Sequence, residues 1–184
     1  MITALSLIAA FGIGAATWTF AEYALHNWVG HLGRGKNHFS RVHLRHHVEG
    51  DYFAENWQKV LFGFILGTPM WLAVAYILGM GVATSYTVGF IVMYCVYEYI
   101  HWSLHAFGPS TAYGRWARKH HFFHHFHNPT QNHGVTSFLW DAVFRTHTPV
   151  DRVVEVPRHK AMVWLIDPAT DAARVEYASD YRVV

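Results

Sequence analysis

Two uncharged stretches decide what this chain can become. The first 21 residues carry no charge, and neither acid nor base occurs from Val60 to Tyr97. At a rise of about 1.5 Å per residue, the first stretch is long enough to cross a hydrocarbon core of roughly 30 Å. The second is too long for one pass and suits two, folded back at Gly79-Met80-Gly81, with Pro69 placed to kink the first arm. Met1-Ile2-Thr3-Ala4-Leu5 lacks a basic region ahead of the apolar run, which predicts a retained membrane helix rather than a cleaved signal peptide.

All 14 Lys and Arg fall within 34–59 and 115–182, and none lies at the hairpin turn. Because basic loops stay on the cytoplasmic side, both polar segments are expected there, with the turn outside. The expected fold is all-α, an integral-membrane helical bundle with about three crossings, two of them a hairpin, under a cytoplasmic histidine-rich helical cap. One domain covers 1–184: a membrane helix at 1–21, a first histidine-box segment at 22–59, the membrane hairpin at 60–100, a second histidine-box segment at 101–147 and a C-terminal tail at 148–184.

Composition narrows the chemistry. A formal charge of +2, scattered over two segments, makes no nucleic-acid footprint. Cys95 is the only cysteine, so one chain builds neither a disulfide nor a thiolate metal site. Any metal is therefore held by nitrogen and oxygen.

Histidine is the outlier, with 16 residues bunched between His26 and His133 except for His147 and His159. Four boxes hold ten of them: His26-x4-His31, His43-x2-His46-His47, His101-x3-His105 and His121-x2-His124-His125. At about 100° per residue, positions i, i+3 and i+4 share one helix face, so each x2-His-His box presents three imidazoles together and His101 and His105 pair likewise. His26 and His31, five apart, point about 140° apart on an ideal helix and are expected on different metals, unless the helix unwinds near Gly30. Imidazole suits iron, zinc, copper and nickel, so ligand type alone does not name the metal. The count says more: two octahedral ions offer about twelve positions, and ten histidines leave about two open, whereas a closed structural zinc needs only four. Two iron ions are the economical assignment, with zinc as a substitute metal.

Three carboxylates sit where they can orient these histidines or offset metal charge: Glu22 four before His26, Glu98 three before His101, and Asp141. The plainer reading is that the glutamates end membrane helices at the interface. A lone interfacial histidine is likewise usually a polar tip at the headgroups, but that reading does not generate the x2-His-His spacing twice. Bis-histidine haem is poorly served by adjacent His-His pairs. A histidine-rich metal transporter, the rival from another class, needs polar residues along an intramembrane path, and the apolar stretches have almost none.

With Glu22-Tyr23-x2-His26, Tyr97-Glu98-x2-His101 and the run from His124-His125-Phe126 to Gly134-Val135-Thr136-Ser137-Phe138-Leu139-Trp140-Asp141, the chain resembles the fatty acid hydroxylase superfamily of lipid hydroxylases and sterol desaturases over about residues 22–147. The resemblance implies a di-iron centre with the ten boxed histidines as ligands, molecular oxygen as co-substrate, and a separate reductase system supplying electrons. It implies hydroxylation of a membrane lipid, fatty acyl or sterol, at an unactivated C–H. Desaturation and carotenoid hydroxylation are the alternatives within the superfamily. His38, His120, His127, His133, His147 and His159 fall outside the boxes, with His120, His127 and His133 near enough to assist. After His47 the segment Val48 to Asn56 lacks the Arg-Leu-Val and Pro-Pro run of sphingolipid fatty acyl 2-hydroxylases, which leaves the substrate open.

Overall fold

A computed structural model describes residues 3–184. Its helices are α1 (Ala4–Ala24), continued by a π-helical segment (Leu25–His31), α2 (His38–Val48), α3 (Asn56–Leu78), α4 (Met80–Ala106), α5 (Ala112–Phe126) and the short α6 (Leu139–Val143). Three helical segments, Ala4–His31, Asn56–Leu78 and Met80–Ala106, are long and apolar enough to cross a membrane. α3 and α4 are joined through Gly79, whose φ of +85° is a backbone state that side chains oppose.

The fold is mostly rather than wholly helical, which corrects the all-α expectation. Val154–Val156 (β1) and Tyr181–Val183 (β2) form a parallel pair with Val154 opposite Tyr181 and Val156 opposite Val183. Valine at both ends of β1 buries alternate side chains, and Pro157, with no amide proton, ends the strand.

The chain forms two compact units. One gathers the segment ending at Glu22 with Ala54–Tyr99. Here α1 and α4 touch backbone to backbone: a Cβ on Gly14 would lie 1.9 Å from the Tyr86 carbonyl oxygen, and one on Gly89 would lie 2.1 Å from that of Phe11. Helices in lipid gain little from burying apolar surface, so close approach at small residues is how they hold together. Trp18 is buried against Phe90, Tyr94 and Tyr97. Leu5, Ile8, Phe64, Ile65, Leu72 and Ile77 stay exposed, as expected of surfaces that face hydrocarbon. Lys59 and Glu98 form an ion pair at 2.7 Å.

The other unit gathers Tyr23–Phe53 with Ile100–Val184 and holds every boxed histidine. Thr111 caps α5 by accepting from the Gly114 amide, and Asn37 caps α2 by accepting from Ser40. α5 is two-faced: His121, His124 and His125 lie on one side, and Phe122 enters an apolar core with Val154, Val156, Leu165 and Tyr181. The C-terminal residues are therefore the packing partner of the α5 outer face. Their removal is expected to leave Phe122 and its neighbours in water and to prevent stable folding of this unit, measured as loss of protease resistance in a chain ending at Thr148.

Candidate metal centre

The ten boxed histidines converge into two groups of five: His26, His31, His43, His47 and His124, and His46, His101, His105, His121 and His125. Within each, one nitrogen per residue lies within 4.8 Å of all the others. The first group comes from the π-helical segment, α2 and α5, the second from α2, α4 and α5.

Each x2-His-His box is shared rather than given whole to one group. On α2, His43 and His47 enter the first group while His46 enters the second; on α5, His121 and His125 enter the second while His124 enters the first. The i, i+4 pair of each box thus serves one group and its i+3 member the other. The faces expected from 100° spacing are real, and each lies along the line between the two groups.

His26 and His31 differ from expectation, since both enter the first group. The cause is the π-helical turn: wider winding brings residues five apart onto one side, and the Leu32 amide donates to the Asn27 carbonyl at 2.9 Å, five residues back. Gly30 in this turn is required by packing, because a Cβ there would come within 2.9 Å of the His43 ring. Ser40 ties α2 to the same turn by donating to the Gly30 carbonyl at 2.5 Å.

The spacing of the nitrogens is that of ligands. In the first group His124 Nε2 lies 2.9 Å from His26 Nε2, 2.9 Å from His31 Nε2 and 3.2 Å from His47 Nε2, and His43 Nε2 lies 2.9 Å from His31 Nε2. In the second, His46 and His101 Nε2 are 3.0 Å apart, as are His105 and His121 Nε2. Two nitrogens each about 2.0–2.1 Å from one ion, at right angles, are about 3 Å apart.

Hydrogen bonding among the rings does not account for this approach. His26 Nδ1 donates to the His133 carbonyl and His124 Nδ1 to the Gln131 carbonyl, the latter at 2.7 Å. Carbonyls only accept, so both Nδ1 atoms hold the ring proton and both Nε2 atoms present bare lone pairs, 2.9 Å apart. A proton between them would relieve the repulsion, but burial, with neighbouring imidazoles adding to it, holds His124 well below the usual histidine range. His43, His121 and His125 are lowered in the same way, by burial first. His125 buries both ring nitrogens with no hydrogen-bond partner among the described residues. A cation bound by neutral imidazoles takes up the one bare nitrogen of each of these rings, so the donor set fits a pair of metal ions.

The carboxylates differ in what they touch. Asp141, wholly buried, accepts from the His133 amide at 2.8 Å, the Gly134 amide at 2.7 Å and the Thr146 hydroxyl at 2.8 Å. Burial alone would raise its pKa, but these donors together with the His120 and His133 rings hold it well below the usual carboxylate range. It thereby fixes residues 131–134, whose carbonyls receive His26 and His124. Glu98 is engaged by Lys59, and Glu22 is buried.

Of the unboxed histidines, His133 packs its ring against His26, His31 and His124, and His120 lies 3.5 Å from Asp141. His127 accepts from the Glu155 amide at 2.9 Å and so holds β1. His38 and His159 are exposed, and His147 stacks on Phe138. Spacing alone does not reveal the backbone carbonyls of Tyr52, Gln131 and His133, each of which accepts from a boxed histidine. The αL backbone of Asn132, φ 60°, is the local signal of a specially shaped loop there, since asparagine tolerates that conformation.

The family model described as fatty acid hydroxylase matches residues 11–146. Dihydroceramide fatty acyl 2-hydroxylase FAH2 of Arabidopsis thaliana is 29% identical over 146 residues, covering 77% of this chain and 61% of that protein. The ceramide very long chain fatty acid hydroxylase scs7 of Schizosaccharomyces pombe is 28% identical, covering 76% and 42%. The chain thus spans less than two-thirds of the length of these relatives. A solved structure of full-length scs7p, with only its hydroxylase domain visible, matches with a TM-score of 0.65 and 28% identity over 82% of this chain and 59% of that one.

Proposed function

The chain belongs to the fatty acid hydroxylase family, and from that premise we propose that it is an integral-membrane hydroxylase, a single domain over 1–184, that places one oxygen atom from molecular oxygen into an unactivated C–H bond of a fatty acyl lipid. The observation that carries this reading is the pair of five-imidazole groups with unprotonated nitrogens turned on one another. His26, His31, His43, His47 and His124 would hold one iron ion and His46, His101, His105, His121 and His125 the other. Bound there, two iron ions supply oxygen activation with electrons from a separate reductase system.

The protein's own part is placement and exclusion of water. Five imidazoles would hold each ion and leave it able to take a reactant. The His133 and Gln131 carbonyls fix the protonation pattern of His26 and His124, so these rings would hold the ion without rearrangement. Asp141 holds that loop, and its buried charge partly offsets that of the ions. The relatives act, by name, on fatty acyl groups of ceramides, which supports a lipid whose tail remains in the bilayer. Desaturation would share this site, and product analysis separates the two.

Labelling decides the reaction. Purified protein supplied with a reductase system, lipid and oxygen-18 gas is expected to yield a hydroxylated lipid carrying one labelled atom; oxygen drawn wholly from water would exclude the hydroxylase. Three crossings with both histidine segments on the cytoplasmic face belong to the same proposal, supported by the distribution of Lys and Arg. A cysteine at Met80, in a background with Cys95 replaced, is expected to react with impermeant reagent only from outside the cell. Reaction only from the cytoplasm would overturn the topology.

A further inference from the structure

The second histidine group borders a cavity of about 350 Å³ lined by Gly50, Asp51, Phe53, Trp102, His105 and Ala106 and by the C-terminal stretch from His159 to Val163. Its walls are of two kinds. Phe53, Trp102, Met162 and Val163 are apolar, whereas Asp51, His159 and Lys160 are polar. Phe53 lies against the histidine group from the cavity side, its ring centroid 4.8 Å from that of His46, 5.3 Å from His101 and 5.7 Å from His105.

One atom says what this cavity receives. His105 is 6% exposed, and its Nδ1 has no hydrogen-bond partner among the described residues. Its Nε2 is the atom turned toward His121 and would be the one that holds the ion, which leaves the ring proton on Nδ1 as a donor. That donor faces the Gly50 side of the cavity, where a Cβ would be 4.0 Å from Nδ1 and 3.8 Å from the Lys160 carbonyl. A buried N–H without an acceptor is costly, and the Lys160 ammonium is turned elsewhere, donating to the His47 carbonyl at 3.0 Å.

We infer that this cavity is the seat of the substrate's acyl carbonyl: its oxygen accepts from His105 Nδ1, with the first part of the chain lying against Phe53 and Trp102. This rests on the proposed hydroxylase reading and adds to it the element of the substrate that is gripped. A carbonyl is one bond from carbon 2, so holding it on a histidine of the metal site restricts reaction to the first few carbons of the acyl chain. Two sources share this chemistry, an N-acyl amide lipid and a free fatty acid.

Binding tests the inference without turnover. Metal-loaded, full-length protein in nanodiscs is given carbonyl-13C palmitic acid or a carbonyl-13C N-palmitoyl amide lipid, in the absence of oxygen and reductant, and the labelled C=O stretch is followed by infrared difference spectroscopy. The bound carbonyl is expected to absorb at lower wavenumber than in an alkane, the mark of an accepted hydrogen bond. The source that binds more tightly identifies the ligand. Gly50→Leu, whose side chain extends into the space before Nδ1, is expected to weaken binding at least tenfold and remove the shift with metal content unchanged; Gly50→Ala, whose Cβ fits, is expected to stay near the parent. An unshifted carbonyl in the parent overturns the inference, as does parent-like affinity in Gly50→Leu. Failure of oxygen insertion with the shift intact would instead count against the hydroxylase reading alone.

Discussion

Alanine at any one of the ten boxed histidines is expected to lower turnover by more than about 100-fold, beyond the roughly 10–100-fold typical of changes outside the ligand shell. His124→Ala illustrates the reason. It removes the nitrogen that lies within 2.9–3.2 Å of three others, so the remaining four imidazoles of the first group lose the member around which they are arranged. Metal analysis on folded protein is expected to give about two irons per chain in the parent and one or fewer in this variant. His38→Ala, at an exposed position, is the control and is expected to match the parent. Parent activity in two or more of the ten variants would show that the ligand assignment is wrong, and full activity with a single ion per chain would end the two-iron reading.

The second large effect is expected at Asp141. Asp141→Ala strands the His133 and Gly134 amides and the Thr146 hydroxyl, each at about 1–3 kcal/mol when buried without an acceptor. A loss of several kcal/mol is a large part of the roughly 5–15 kcal/mol that holds a typical soluble domain. It also frees the loop whose carbonyls orient His26 and His124. Asp141→Asn keeps one acceptor but sets an NH2 group against an amide donor, so its turnover is expected to fall about 10–100-fold. Thermal unfolding and iron content, read together, separate lost folding from lost metal. Parent-like values for both in Asp141→Ala would show that this carboxylate positions nothing.

The sequence made the membrane segments and the grouped histidines legible, because both follow from local patterns. Charge-free length marks α1, α3 and α4, and 3.6-residue periodicity places His43 with His47 and His121 with His125. What it concealed depends on departures from ideal winding or on partners distant in the chain. The angle between His26 and His31 follows from 100° per residue, and the π-helical turn does not obey that number. Glu98 stands three residues before His101, yet Lys59 from α3 engages it. Asp141 acts on backbone amides of a loop, which leave no signature in side-chain spacing. The C-terminal stretch reads as a featureless tail because β1 and β2 are three residues each and pair across a long separation, and Phe122 on α5 completes their core.

The division of each x2-His-His box between both groups limits how such a protein can change over generations. An insertion or deletion inside either box rotates ligands of both groups at once, so no change of box length retires one ion and keeps the other intact. Inheritance therefore treats α2 and α5 as one indivisible part. The turn at Gly50 and the residues after Thr148 carry no boxed histidine and are free of this constraint. Descendants that diverge in the lipid they accept are expected to differ mainly there, with the spacing of the four boxes unaltered.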